Sequence, residues 1–212
     1  MGTREAYNAA LEAMNRGRYE AALGHLQPLA EADHVPSQAK MGLLHYHGYG
    51  VPRDLETARR WWLKAAEEKY GPACNDLGFL YARGEGVAKD LAAAAHWFHL
   101  AAEAGVLSAI FNYAAMLERG MGATADPQEA ARWYRRAAED GHARAMGRLA
   151  QLYLAGEGVP QDYALAAAWA TLAREAGDPQ AESLEQRTRA RLVADQPGEV
   201  DGLIKQCRPK AA

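Results

Sequence analysis

Cysteine is nearly absent from this chain: two residues in 212, Cys74 and Cys207. They lie far apart, and no cysteine pair recurs along the sequence, so a disulfide framework is excluded. The two read as buried free thiols, which favours a reducing compartment. An excess of basic charge is missing as well. A formal net charge of −3 speaks against a nucleic-acid binder. The mild arginine clusters, Arg132, Arg135, Arg136 and Arg144, then Arg187, Arg189 and Arg191, read as solvated helix faces. No apolar run reaches the roughly 18 residues of a membrane-spanning helix. The start, Met1 to Glu5, lacks the apolar segment of a signal peptide, and Tyr7 spoils the myristoylation pattern that Gly2 begins. The expectation is a cytoplasmic protein with no membrane span, or a periplasmic one if a leader has been removed.

Chemistry is scarce too. There are only three serines, Ser37, Ser108 and Ser183. None stands in a nucleophile elbow, and no metalloprotease signature occurs. Of the seven histidines, His45 and His47 are two apart and point to different sides of a helix. His96 and His99 could share a face but lack an evident third ligand. The expectation is no catalytic residue, no metal, no cofactor and no enzyme.

What is present is a beat. Gly48-Tyr49-Gly50, Gly84-Glu85-Gly86, Gly120-Met121-Gly122 and Gly156-Glu157-Gly158 are spaced 36 residues apart, with no insertion or deletion. A fixed period of this length marks a stacked repeat, each unit touching its neighbours. An acid follows each turn: Asp54, Asp90, Asp126, Asp162. Then come an alanine (Ala58, Ala94, Ala130, Ala166), a tryptophan (Trp61, Trp97, Trp133, Trp169) and another alanine (Ala65, Ala101, Ala137, Ala173). Steps of three and four put these on one helix face. The acid stands where a helix needs a cap, and Pro52, Pro127 and Pro160 fall near the start. The tryptophans are expected to fill the core rather than to stack a ligand.

Gly105, Gly141 and Gly177 end three of these helices in a left-handed position. Lys69 holds that place in the first copy, so its turn is expected to differ. A second helix carries Ala73, Ala109, Ala145 and Ala181. Glycine or alanine at 42, 78, 114 and 150 lets a neighbour come close, with the tryptophan beside it. The Gly-x-Gly turns each follow a helix, so they are geometry rather than phosphate loops.

The pattern from Ala73 through Leu77, Gly78, Tyr81, Gly84, Gly86, Val87, Asp90, Ala94, Trp97, Ala101 and Ala102 to Gly105 resembles the Sel-one-like repeat family. That family is a branch of the tetratricopeptide-like helical solenoids. The resemblance covers residues 36–181. Departures are Lys69, His45 in the tyrosine place, and Ala123-Thr124 in the third turn. It implies an all-α fold, a right-handed α-α superhelical solenoid of stacked antiparallel helix pairs. It implies a single repeat domain over 1–212: a tetratricopeptide-like pair at 4–35, four 36-residue repeats at 36–181, and capping helices at 182–207. At the end, Ser183 to Ala194 reads as one helix broken by Pro197-Gly198. Val200, Leu203, Ile204 and Cys207 read as a last short one, and residues 208–212 should fray.

The resemblance also implies a non-enzymatic scaffold or adaptor, of the kind seen in bacteria, that binds a protein or peptide on its concave side. Aligned to the repeat, the groove positions are Leu43, Tyr46 and His47, then Asn75, Phe79 and Arg83, then Phe111 and Arg119. Aromatics and arginine in a concavity are what peptide hot spots use. An enzyme or enzyme subunit acting on cell-wall or peptide substrates is the alternative. The expected state is a monomer or weak homo-oligomer, with a protein or peptide partner and no nucleic acid.

Overall fold

The computed structural model describes residues 2–192 and 196–209. The described residues contain twelve helices and no strand. They fall into two compact units, Met1–Val106 and Leu107–Ala212. The first unit holds α1 (Thr3–Asn15), α2 (Tyr19–Glu31), α3 (Val35–His47), α4 (Leu55–Glu67), α5 (Gly71–Arg83) and α6 (Leu91–Glu103). The second holds α7 (Leu107–Arg119), α8 (Pro127–Glu139), α9 (Ala143–Ala155), α10 (Tyr163–Glu175), α11 (Ala181–Arg189) and α12 (Gln196–Cys207). In each unit the helices pair in chain order, with α1 on α2, α3 on α4 and α5 on α6, then α7 on α8 and α9 on α10.

Each helix of the repeat starts and stops for a reason in its own sequence. The carboxylates of Asp54, Asp90, Asp126 and Asp162 accept from the backbone N–H three residues on, at 2.9–3.0 Å. They satisfy donors the helix itself leaves free. At the other end of the preceding helix, Gly48, Gly84 and Gly156 take left-handed φ of 70–74°. The next N–H then reaches back, Tyr49 to the Leu44 carbonyl and Glu157 to the Leu152 carbonyl. This closure is the Schellman type. The second glycine of the turn is needed for another reason. A Cβ on Gly158 would lie 2.1 Å from the Pro127 carbonyl oxygen at the start of α8, so backbone meets backbone there.

The repeat alanines are core. Ala58, Ala94, Ala130 and Ala166 are fully buried, as are Ala65, Ala101, Ala137 and Ala173. The tryptophan expectation needs correcting. Trp61, Trp97 and Trp133 are only half-buried, whereas the next residue, Trp62, Phe98 or Tyr134, is 1–3% exposed. A Cβ added to Gly42 would strike the Trp62 ring at 2.4 Å, and one on Gly78 would strike Phe98 at 2.6 Å. The ring that fills the space over the small residue is therefore one position later than the repeating tryptophan. Trp169 alone of the four is buried, and its neighbour is Ala170. A one-residue step turns a helix by about 100°, enough to move the buried face from one column to the next.

The Lys69 turn also differs from expectation. Lys69 takes φ 55°, and Asp33, one period earlier, takes φ 57°. The Tyr70 N–H bonds the Ala65 carbonyl as the Val106 N–H bonds that of Ala101. The turn is the same, and a lysine is held in a conformation that suits glycine. The C-terminal helices differ from expectation, the first being shorter and the last longer. α11 ends at Arg189, and Pro197-Gly198 lie within the first turn of α12. Val193, Ala194 and residues 210–212 lie outside the described residues. Val200 is buried with Ala164, Ala167 and Ala168 of α10. Both cysteines are free, but only Cys74 is buried; Cys207 is half-buried.

Candidate functional site

Five of the eight groove residues meet in one place. A cavity of about 120 Å³ in the first unit is lined by Leu43, Tyr46 and His47 of α3, Trp62 of α4, and Asp76, Phe79, Leu80 and Arg83 of α5. Residues 76, 80 and 83 follow steps of four and three, so one face of α5 presents them together. Asn75 stands beside this wall, half-buried, and its side chain bonds Asp76.

The rings form a continuous series. Trp62 meets Tyr46 at 5.4 Å, Tyr46 meets His47 edge-on at 4.9 Å, and His47 stacks on Tyr49 at 5.0 Å. Tyr49 stacks in turn on Tyr19 at 4.5 Å and is 39% exposed, the large apolar side chain left most open among the described residues. Separations of this size are those of favourable aromatic pairs. The series runs from a buried indole anchored on the Ala39 carbonyl to an open tyrosine face.

Tyr46 is held rather than loose. Its hydroxyl donates to the Glu85 carboxylate, and its carbonyl accepts from Arg53 Nε at 3.0 Å. Glu85 also faces Arg83 at 3.6 Å and Arg53 at 3.9 Å. Burial and the Glu85 carboxylate both push the Tyr46 hydroxyl pKa up. Arg83 lies over the Phe79 ring at 5.2 Å, and Phe79 meets Phe98 edge-on. The groove aromatics thus pack and remain half-exposed at once.

Asp76 is the residue that sequence reasoning missed. Burial pushes its carboxyl pKa up to about 6, against the opposing pull of the Asn75 hydrogen bond and the Lys40 charge. The missed signal was the column 40, 76, 112, 148, which reads Lys, Asp, Asn, Arg. A column that changes charge sign between copies builds no common frame.

Phe111 and Arg119 lie on α7 in the second unit. Phe111 stacks on His142 at 4.8 Å and meets Tyr134 at 5.6 Å. Arg119 is exposed. Beside them, Glu118 accepts from the Tyr134 hydroxyl at 2.8 Å and pairs with Arg148. A wider cleft of about 680 Å³ lies along α9 to α11, with Arg148, Gln151, Leu154, Tyr163, Arg187 and Arg191 on its walls. Among the described residues no group of three His, Cys, Asp or Glu side chains is placed to hold a metal. No helix among them is long and apolar enough to cross a membrane.

The architecture and the repeated turns define a helical repeat protein whose varied side chains collect on α3 and α5. The Sel1 repeat model matches residues 35–70, 71–106, 107–142 and 143–178, and the chain belongs to the Sel1 repeat family. Its fold is similar to that of a Sel1 repeat protein from Oxalobacter formigenes, with TM-score 0.84 and 29% identity over 95% of this chain and 84% of that one. It is also similar to a protective antigen of uropathogenic Escherichia coli with an SLR fold, at TM-score 0.85 and 26% identity. That match covers 97% of this chain but 45% of the antigen. No curated protein matches the chain. Members of this family are in general protein-interaction scaffolds and typically non-enzymatic.

Proposed function

We propose that the protein is an adaptor that binds a peptide or protein segment on the α3–α5 face. Leu43, Tyr46, His47, Asn75, Phe79 and Arg83 make the contacts in the first unit, and Phe111 and Arg119 hold the same register on α7. The observation that carries this reading is the cavity that gathers Leu43, Tyr46, His47, Phe79 and Arg83. Half-buried rings with an arginine over one of them are what binding hot spots are made of. The two free thiols favour a reducing compartment, and we place the protein in the cytoplasm.

A photo-crosslinking amino acid at His47, followed by mass spectrometry from the native cell, identifies the partner. The purified partner is then titrated against wild type and against the Tyr46→Ala/Phe79→Ala/Arg83→Glu variant. Loss of binding by a variant that still melts cooperatively supports the reading. Undiminished binding overturns it.

A further inference from the structure

We propose that the α3–α4–α5 cavity is a receptor for an arginine side chain of the bound protein segment, with Asp76 as the anion that receives the guanidinium. This deepens the adaptor reading and rests on it.

Three observations carry the assignment. The first is the composition of the cavity. Its walls are the rings of Tyr46, His47, Trp62 and Phe79 with Leu43 and Leu80; Asp76 supplies a carboxylate among them, and the one cation on the wall, Arg83, faces Glu85. A planar cation is stabilised by ring faces and by a bidentate carboxylate together, which is the guanidinium's chemistry more than an ammonium's. The second is the lack of an internal partner. Among the described residues no Lys or Arg forms an ion pair with Asp76. Lys40 acts on it only through its field, and the Asn75 side chain meets it by hydrogen bond. Arg83 and Arg53 are engaged by Glu85 instead. A carboxylate half out of water without an ion-pair partner is costly, and an incoming cation offsets that cost.

The third observation is the same place two repeats later. Position 148 corresponds to 76, 118 to 46 and 134 to 62. In the second unit the chain fills this place itself: Arg148 pairs with Glu118, and the Tyr134 hydroxyl donates to the same carboxylate. The fold therefore accommodates a guanidinium between these columns. In the first unit Tyr46 and Phe79 stand where the second has Glu118 and Gln151, the acid sits on α5, and the cavity's own guanidinium, Arg83, lies over Phe79 and faces Glu85 rather than Asp76. At about 120 Å³ the cavity suits one small planar group, not a bulky one.

The test uses the full chain and three small probes: N-acetyl-argininamide, N-acetyl-lysinamide and the neutral isostere N-acetyl-citrullinamide. The readout is the NMR shift of the Trp62 indole N–H, assigned with Trp62→Phe. Expected is a saturable shift with the arginine probe, and affinity weaker by about tenfold or more for citrulline and for Asp76→Asn. Asp76→Glu should keep part of the affinity. Equal shifts with citrulline, or an unchanged Asp76→Asn, overturn the proposal. An equal response to the lysine probe overturns the guanidinium assignment and leaves only a cation site. Should Asp76→Asn fail to fold, the arginine–citrulline pair on wild type still decides. With the crosslinked partner in hand, partner binding lost in Tyr46→Ala/Phe79→Ala/Arg83→Glu but kept in Asp76→Asn rejects this inference alone. Partner binding kept in both rejects the adaptor face itself.

Discussion

Two equivalent places in the chain solve one packing problem in opposite ways. In the second unit, Arg148, Glu118 and Tyr134 close the space between α7, α8 and α9 with an ion pair and a hydrogen bond. In the first, Tyr46, Trp62 and Asp76 border a cavity, and Asp76 has no ion pair among the described residues. The helices are the same length and in the same order in both, thirteen residues from α3 to α5 and from α7 to α9. The backbone does not decide which place is filled. Three side-chain columns do, and they are columns where the copies disagree.

The largest break in this comparison comes from the ring both places share. Trp62→Ala should cost about 3–5 kcal/mol, because the indole is 2% exposed, fills the space over Gly42 and donates to the Ala39 carbonyl. Urea titration followed by far-UV circular dichroism measures it; a loss below about 1 kcal/mol would contradict the packing. Next is the filled place. Arg148→Met strands Glu118, whose side chain is 10% exposed, and should cost about 2–3 kcal/mol, less than a fully buried pair because Arg148 itself is a third exposed. Adding Glu118→Gln should recover most of that loss. A double variant no better than the single would show that the two residues are not coupled.

The open place should respond with the opposite sign. Asp76→Asn should stabilise the protein by about 1–2 kcal/mol at about pH 7. The sign follows from the folded carboxyl pKa, pushed up to about 6 from 3.8. Wild type is favoured while Asp76 is protonated, fully so below the unfolded value, and loses that advantage as pH rises through the folded one. The gain from asparagine should therefore shrink toward zero at about pH 4. Melting curves of both proteins across that range check it, and a gain that grows on acidification would refute the assignment. The smallest effect tests the frame shared by every copy. Lys69→Gly should add about 0.5–1 kcal/mol, since the lysine holds φ 55° where later copies have glycine. A calorimetric melting point at or below that of wild type would count against it.

The frame was legible because it repeats. Asp54, Gly48, Ala58 and their copies announce caps, stops and close contacts, and all take those roles. The buried ring was misread by one position, since Trp61 repeats in kind while its neighbour repeats only in being aromatic: Trp62, Phe98, Tyr134. Burial selects for volume, and volume leaves a fainter trace than identity. Asp76 was missed for a related reason. Part of its environment comes from residues 30 to 36 positions away, Tyr46 and Lys40, and no local period reports a distance in space. Lys69 shows the converse: the turn persisted because neighbouring hydrogen bonds impose it on an unsuited residue.

The second glycine of the fourth turn has a consequence for how such a chain can change over time. Where Gly158 meets Pro127, two main chains touch and no side chain stands between them. A joint of that kind is indifferent to mutation nearly everywhere else in the copy. Inheritance can therefore rewrite the flanking helix faces residue by residue while the joint carries on unaltered.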